Sequence, residues 1–241
     1  MKNIKSACIL AALAAAPAIA RAEPWSGDFA LGYLATTGNS KTSSVNAKGS
    51  LVYAADRWKN TVAAAAVSTY ADDVSSAESY LATEQLDYNF TPRDYAFVAL
   101  EWNKDLFAAI RERTSETAGY GRHVLTGPAH LLDLEIGAGA RQQQTNDQPR
   151  ERENDFIGRA AAKYQWNISP TATFLEALKV EAGENNTYTE SVSQLKLAII
   201  GSLFANLSYT VKNNSNTAPE TKSTDTETAV TLSYEFGKKK S

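Results

Sequence analysis

Apolar and polar residues alternate along most of this chain with a period of two, and helical spacing is scarce. A strand produces that pattern when its side chains point in turn to two unlike surroundings. Twelve such segments stand out, over residues 25–35, 41–54, 58–70, 78–90, 95–105, 113–124, 131–143, 153–166, 172–182, 188–198, 202–212 and 223–236. Polar clusters separate each from the next, which predicts an all-β fold, an antiparallel transmembrane β-barrel of about 12 strands. The connections also alternate. Those at 55–57, 91–94, 125–130, 167–171 and 199–201 are short; those at 36–40, 71–77, 106–112, 144–152, 183–187 and 213–222 are longer or more polar. Outer-membrane barrels have short periplasmic turns and longer outer loops, and an even strand number leaves both termini on the periplasmic side.

The two faces are assigned by the cost of charge in lipid. In the last segment Val230, Leu232, Tyr234 and Phe236 share one face, and Asp225, Glu227, Thr231, Ser233 and Glu235 share the other. A charge on the lipid face at mid-depth costs up to roughly 2–4 kcal/mol, so the acidic set is expected inside. The same reasoning turns Phe29, Leu31, Tyr33, Val62, Leu134, Ile136, Phe156, Leu207 and Tyr209 outward. It predicts a lumen lined by Lys48, Asp87, Glu101, Arg113, Asp133, Glu135, Arg141, Asp155, Arg159, Lys163, Lys196, Asp225, Glu227 and Glu235, with Asp28, Asn46, Gln85 and Asn206 among them. Two places resist. Glu84 shares a phase with Leu86, Tyr88 and Phe90 and points at lipid unless a bulge or a lower belt intervenes, and segment 172–182 has apolar and charged residues in both phases.

Aromatic residues gather at strand ends. Trp25, Tyr53, Trp58, Tyr88, Phe90, Tyr95, Tyr164, Trp166, Tyr234 and Phe236 predict an inner girdle, and Tyr33, Tyr70, Tyr80, Trp102 and Tyr188 a weaker outer one. The 11 tyrosines against a single methionine fit such a chain.

Residues 1–22 read as a signal peptide, leaving 23–241 as the barrel. Lys2 and Lys5 open it, an apolar run covers 7–16, Pro17 follows, and Ala20-Arg21-Ala22 forms the cleavage pattern. Cys8 is the chain's one cysteine and has Lys5 where a lipobox wants an apolar residue, so it is expected to leave with the signal, and no disulfide framework is expected. With Lys+Arg 24 against Asp+Glu 27 there is no basic surplus for nucleic acid. No later apolar run reaches the length of a spanning helix, which leaves the closed barrel as the spanning form.

The first hairpin reads Gly32-Tyr33-Leu34-Ala35-Thr36-Thr37-Gly38-Asn39-Ser40-Lys41-Thr42, and the closing segment runs from Thr224-Asp225-Thr226 to Leu232-Ser233-Tyr234-Glu235-Phe236. Both are similar to the domain of unknown function 481 family (DUF481), the YdiY-like salt-induced outer-membrane proteins. The resemblance extends over essentially the whole mature chain and is firmest in the first hairpin. It implies a Gram-negative outer-membrane location and assigns no catalytic or binding residue. Gly237, Lys238, Lys239, Lys240 and Ser241 follow Phe236, a departure from barrels that end on an aromatic residue.

The chemistry of the chain is sparse. Gly38 and Asn39 suit a tight turn. His123 and His130, the only two histidines, fall near the periplasmic end, away from a rim where a barrel hydrolase would work. Asp72, Asp73 and Glu78 lack the spacing of a calcium or zinc site, and no phosphate or dinucleotide motif occurs. The expectation is therefore no enzyme, no metal and no cofactor. It is instead a passive channel for ions or small polar solutes, linked to salt or envelope stress. A closed structural barrel supporting the envelope is the alternative, and an outer-membrane hydrolase a distant third. The expected partners are outer-membrane lipid, the barrel-assembly machinery and small solutes.

Overall fold

A computed structural model describes residues 24–36, 42–72, 74–146, 149–217 and 222–237. The expected signal peptide, the hairpin tip at Gly38 and Asn39, Asp73 and the terminal lysines lie outside these residues. Twelve strands follow one another: β1 (Trp25–Thr36), β2 (Thr42–Ala55), β3 (Trp58–Ala71), β4 (Val74–Asn89), β5 (Asp94–Asp105), β6 (Ile110–Thr126), β7 (His130–Thr145), β8 (Arg152–Ser169), β9 (Ala172–Gly183), β10 (Thr187–Ile200), β11 (Leu203–Asn214) and β12 (Thr224–Phe236). Each pairs antiparallel with its sequence neighbours, and β12 returns to β1, closing the barrel.

Several strands run past the predicted ends. β4 starts at Val74, β6 at Ile110, and β8 reaches Ser169. Beyond the apolar belt both faces of a strand are wet, so alternation fades while the backbone ladder continues.

The barrel is inside-out relative to a soluble sheet protein. Phe156, Val230 and Ile136 are 90%, 69% and 66% exposed on the outer wall, while Arg141, Glu181, Asn206 and Ser208 are buried within. This arrangement belongs to a transmembrane barrel, whose apolar band faces lipid and whose interior is polar. At the inner end Trp25 meets Tyr53 and Trp58 meets Tyr88, each with ring centroids 4.8 Å apart.

Two girdle assignments are corrected. Tyr95 is buried inside, opposite Gly121 on β6, and its hydroxyl donates to Glu135 Oε1 at 3.0 Å. A Cβ at Gly121 would lie 2.2 Å from the Tyr95 ring, so only glycine leaves room for it. Tyr188 is likewise buried in the lumen, under the Arg113 guanidinium at 3.4 Å. Both residues are close to strand ends, but their parity sends them inward.

The undecided segment resolves as β9, with Thr173, Leu175, Lys179 and Glu181 inside. Glu176 is outside, accepting the Ser191 hydroxyl at 2.7 Å. Glu84 also faces outward. The ladder around it is regular, with Val62 on one side and Leu100 on the other, so no bulge redirects it. The Asn60 amide donates to its carboxylate at 3.0 Å. A carboxylate between Leu86 and Ala82 on the lipid face is costly, though less so than a lysine or arginine. Glu84→Leu is expected to stabilise the barrel in lipid by about 1 kcal/mol, measured as a shift in urea unfolding from vesicles.

Candidate functional site: the barrel lumen

The lumen is polar because alternate residues of every strand must point inward, and outside positions exclude most charge. Of the residues expected to line it, Asp87, Arg113, Glu135, Arg141, Asp155 and Arg159 are buried, and Lys48, Lys196, Asp225, Glu227 and Glu235 border cavities. They divide into two environments.

Between β4 and β10 the interior is filled by side chains that reach across it. Glu135 on β7 binds Arg159 at 2.9 Å and Lys163 at 3.2 Å, and it also accepts from Gln85 on β4 at 2.9 Å. Lys163 on β8 returns to Gln85 at 3.2 Å, and Asp87 meets Lys59 at 3.5 Å. Toward the outer end, Lys179 on β9 donates to Glu101 on β5, which also sees Arg113 on β6 at 3.8 Å. Arg141 on β7 is 0% exposed; its Nη2 binds Asp155 Oδ2 at 2.9 Å and the Asn186 carbonyl. Glu101 and Lys179, like Gln85 and Lys163, sit on strands four apart around the ring, so these contacts are chords through the lumen.

Asp133 is taken up by His123, 2.6 Å away, whose ring lies 4.9 Å from Tyr95. His130 bonds the Tyr164 hydroxyl at 2.8 Å and stacks near Trp166. Both histidines thus pack at the end of the barrel that carries the short turns.

Along β11, β12, β1 and β2 the lining residues are shorter, and space remains. An inner cavity of about 420 Å³ is bordered by Lys48, Lys196, Glu235 and Asp28, and it reaches the short β8–β9 turn at Pro170. An outer cavity of about 850 Å³ is bordered by Glu78, Asp105, Asp225, Glu227 and Lys212. The two adjoin. On β2 Asn46 borders the outer cavity and Lys48 the inner; on β11 Thr210 and Ser208 divide in the same way, and on β12 Ala229 and Thr231. These are successive inward residues, so the cavities lie end to end. Lys48, Lys196, Asp225, Glu227 and Glu235 border this path, and the other nine predicted residues belong to the filled side or, for Asp133, to its histidine partner.

Lys179, Glu181, Tyr188 and Phe97 are lumenal residues that alternation alone did not pick out. Phe97 lies under Arg159 at 4.9 Å. Apolar identity hid Phe97 and Tyr188, and the mixed phase of β9 hid the other two.

The filled side is expected to carry stability. Removing one partner of a buried pair leaves an uncompensated charge, so Arg141→Ala is expected to destabilise by about 3–5 kcal/mol. Lys59→Ala, at a half-exposed pair, is expected to cost under about 1 kcal/mol. Denaturant unfolding in micelles measures both.

The sequence matches the family described as Protein of unknown function, DUF481, over residues 29–236. It is 34% identical over 226 residues to the Escherichia coli (strain K12) protein named "Uncharacterized protein YdiY", covering 90% of this chain and 85% of that one. Among solved structures, the NanC porin superposes with a TM-score of 0.52 at 10% identity, covering 88% of this chain and 99% of the porin. The translocator domain of autotransporter NalP from Neisseria meningitidis gives a TM-score of 0.48 at 11% identity, covering 87% of each chain. The NanC likeness is one of fold. The family match extends over nearly the whole barrel and includes the seam strands β1 and β12, and the chain belongs to the DUF481 family.

Proposed function

We propose that the protein is a passive channel of the Gram-negative outer membrane, exported through a cleaved signal peptide and conducting ions and small polar solutes. The observation that carries this reading is the end-to-end arrangement of the outer and inner cavities along β11, β12, β1 and β2. The path is lined by side chains that bind water and ions weakly, such as Asn206, Ser208, Thr231 and Ser233, as conduction requires. A role in salt or envelope stress, implied by the family resemblance, suits a pore for small ions.

Charge along the path favours cations at the outer mouth. Asp105, Asp225 and Glu227 face one lysine there, while Lys48 and Lys196 balance Asp28 and Glu235 further in; the Glu78 carboxylate turns outward and accepts the Tyr80 hydroxyl at 2.9 Å. The second reading, a closed structural barrel, draws on the cross-lumen pairs of the filled side.

Single-channel recording of refolded protein in planar bilayers separates the two. Steady ohmic conductance with cation preference is expected, and Asp225→Asn combined with Glu227→Gln is expected to move the reversal potential in a salt gradient toward anions. A flat trace would leave the structural barrel.

A further inference from the structure

The wall is not sealed evenly. β1 and β12 share a ladder only from Gly27↔Phe236 to Leu31↔Leu232. Past that point β1 stays paired with β2 as far as Thr36↔Thr42, and β12 stays paired with β11 as far as Asn213↔Thr224. Among the described residues, no ladder joins the outer halves of β1 and β12 to each other. Continued register would set Tyr33 against Val230. The seam ends at a close approach, where a Cβ on Gly32 would lie 2.7 Å from the Val230 carbonyl oxygen.

The outer cavity runs into this break. It is bordered on β12 by Asp225, Thr226, Glu227, Thr228, Ala229 and Val230 in unbroken succession. Thr226, Thr228 and Val230 have the outward parity of β12, and they meet the cavity where β12 has no ladder to β1. Tyr33 and Val230, which also border it, are 72% and 69% exposed. The outer cavity therefore opens sideways as well as upward.

One tie spans the break on its lumenal side. Asn46 of β2 donates to Glu227 Oε1 of β12 at 3.2 Å, passing inside β1. Asn46 is only 7% exposed, and its Oδ1 is buried without a hydrogen-bond partner. Beside this tie, Asp225 and Glu227 border the cavity and form no ion pair within 4 Å among the described residues. Unladdered backbone is costly in hydrocarbon and is tolerated where it borders a water-filled cavity or a bound molecule.

We infer that the outer half of the β1–β12 seam is a lateral portal, through which an amphiphile with a cationic head passes between the outer leaflet and the outer cavity. Tyr33 and Val230 form its apolar lips. Thr226 and Thr228 supply hydroxyls at its edge. Asp225 and Glu227 receive the head. The portal is a route distinct from axial conduction and does not depend on it.

Photolabelling in phosphatidylcholine vesicles tests this. The probe is a dodecyltrimethylammonium analogue carrying a diazirine beside its head, with a sulfate-headed analogue for comparison. Mass spectrometry reads labelling at the lumenal residues Asn46 and Glu227, and Phe156 on the outer wall serves as an internal control for lipid exposure. Lumenal labelling by the cationic probe, several-fold above the sulfate probe, is expected. Tyr33→Cys with Val230→Cys, clamped by a short bis-methanethiosulfonate, is expected to remove most of that labelling while leaving Phe156 unchanged. Asn46→Ala, which cuts the tie without a clamp, is expected to raise labelling at Glu227. Absent lumenal labelling, equal labelling by the two heads, or labelling undiminished by the clamp would each overturn the portal. None of these readouts requires channel current, so a flat bilayer trace and a failed portal are separate outcomes.

Discussion

The obligation to pair every backbone amide and carbonyl governs this protein. In hydrocarbon an unpaired group costs several kcal/mol, and a sheet satisfies all of them only by having no edge. Twelve antiparallel neighbours closed into a ring meet that demand, except along the outer half of the β1–β12 seam, with the simplest connectivity available, each strand beside its sequence neighbours. The inside-out distribution of side chains follows. Once the ring is closed, one face of every strand meets lipid and the other meets the lumen, so period-two alternation becomes a radial sorting of apolar from polar.

Burial of charge is then unavoidable, and the barrel handles it unequally around its circumference. Long charged side chains on β5 to β9 reach one another across the interior, and Glu135 alone engages Arg159, Lys163, Gln85 and Tyr95. Such a cluster is strongly disturbed by loss of any one member, since each charge relies on its counterpart in place of water. Around β11, β12, β1 and β2 the inward residues include Ser208, Ser233, Thr231 and Asn206, which bond to near neighbours and leave the axis free. The weak seam falls on this side, and both cavities border it, the inner one reaching β9 and β10 and the outer one β3 and β4. One part of the barrel is braced by charge pairs and the other is less filled.

The likeness to the NanC porin at 10% identity shows how little of a barrel resides in particular residues. What must be kept is parity, strand length and closure. Specific identities matter where geometry is tight, as at Gly121, which makes room for the Tyr95 ring, and Gly32, which lets β1 approach Val230.

Strand number, order of connections and the direction of most side chains were legible in the sequence, because alternation is a local property and the penalty for charge in lipid has one sign everywhere. Val230, Phe156 and Ile136 could be sent outward, and Glu135, Arg141 and Asp155 inward, from parity alone. Tyr95 and Tyr188 could not be placed that way, because an aromatic ring near a strand end suits a girdle and a packed lumen equally well; the glycine opposite one and the guanidinium over the other decided it. Lys179 and Glu181 stayed ambiguous until β9 took its register beside β8 and β10. Which charges pair across the lumen, where space survives, and how far the closing seam extends were decided only in three dimensions, since each depends on residues from strands far apart in sequence brought to a common height by the stagger of the sheet.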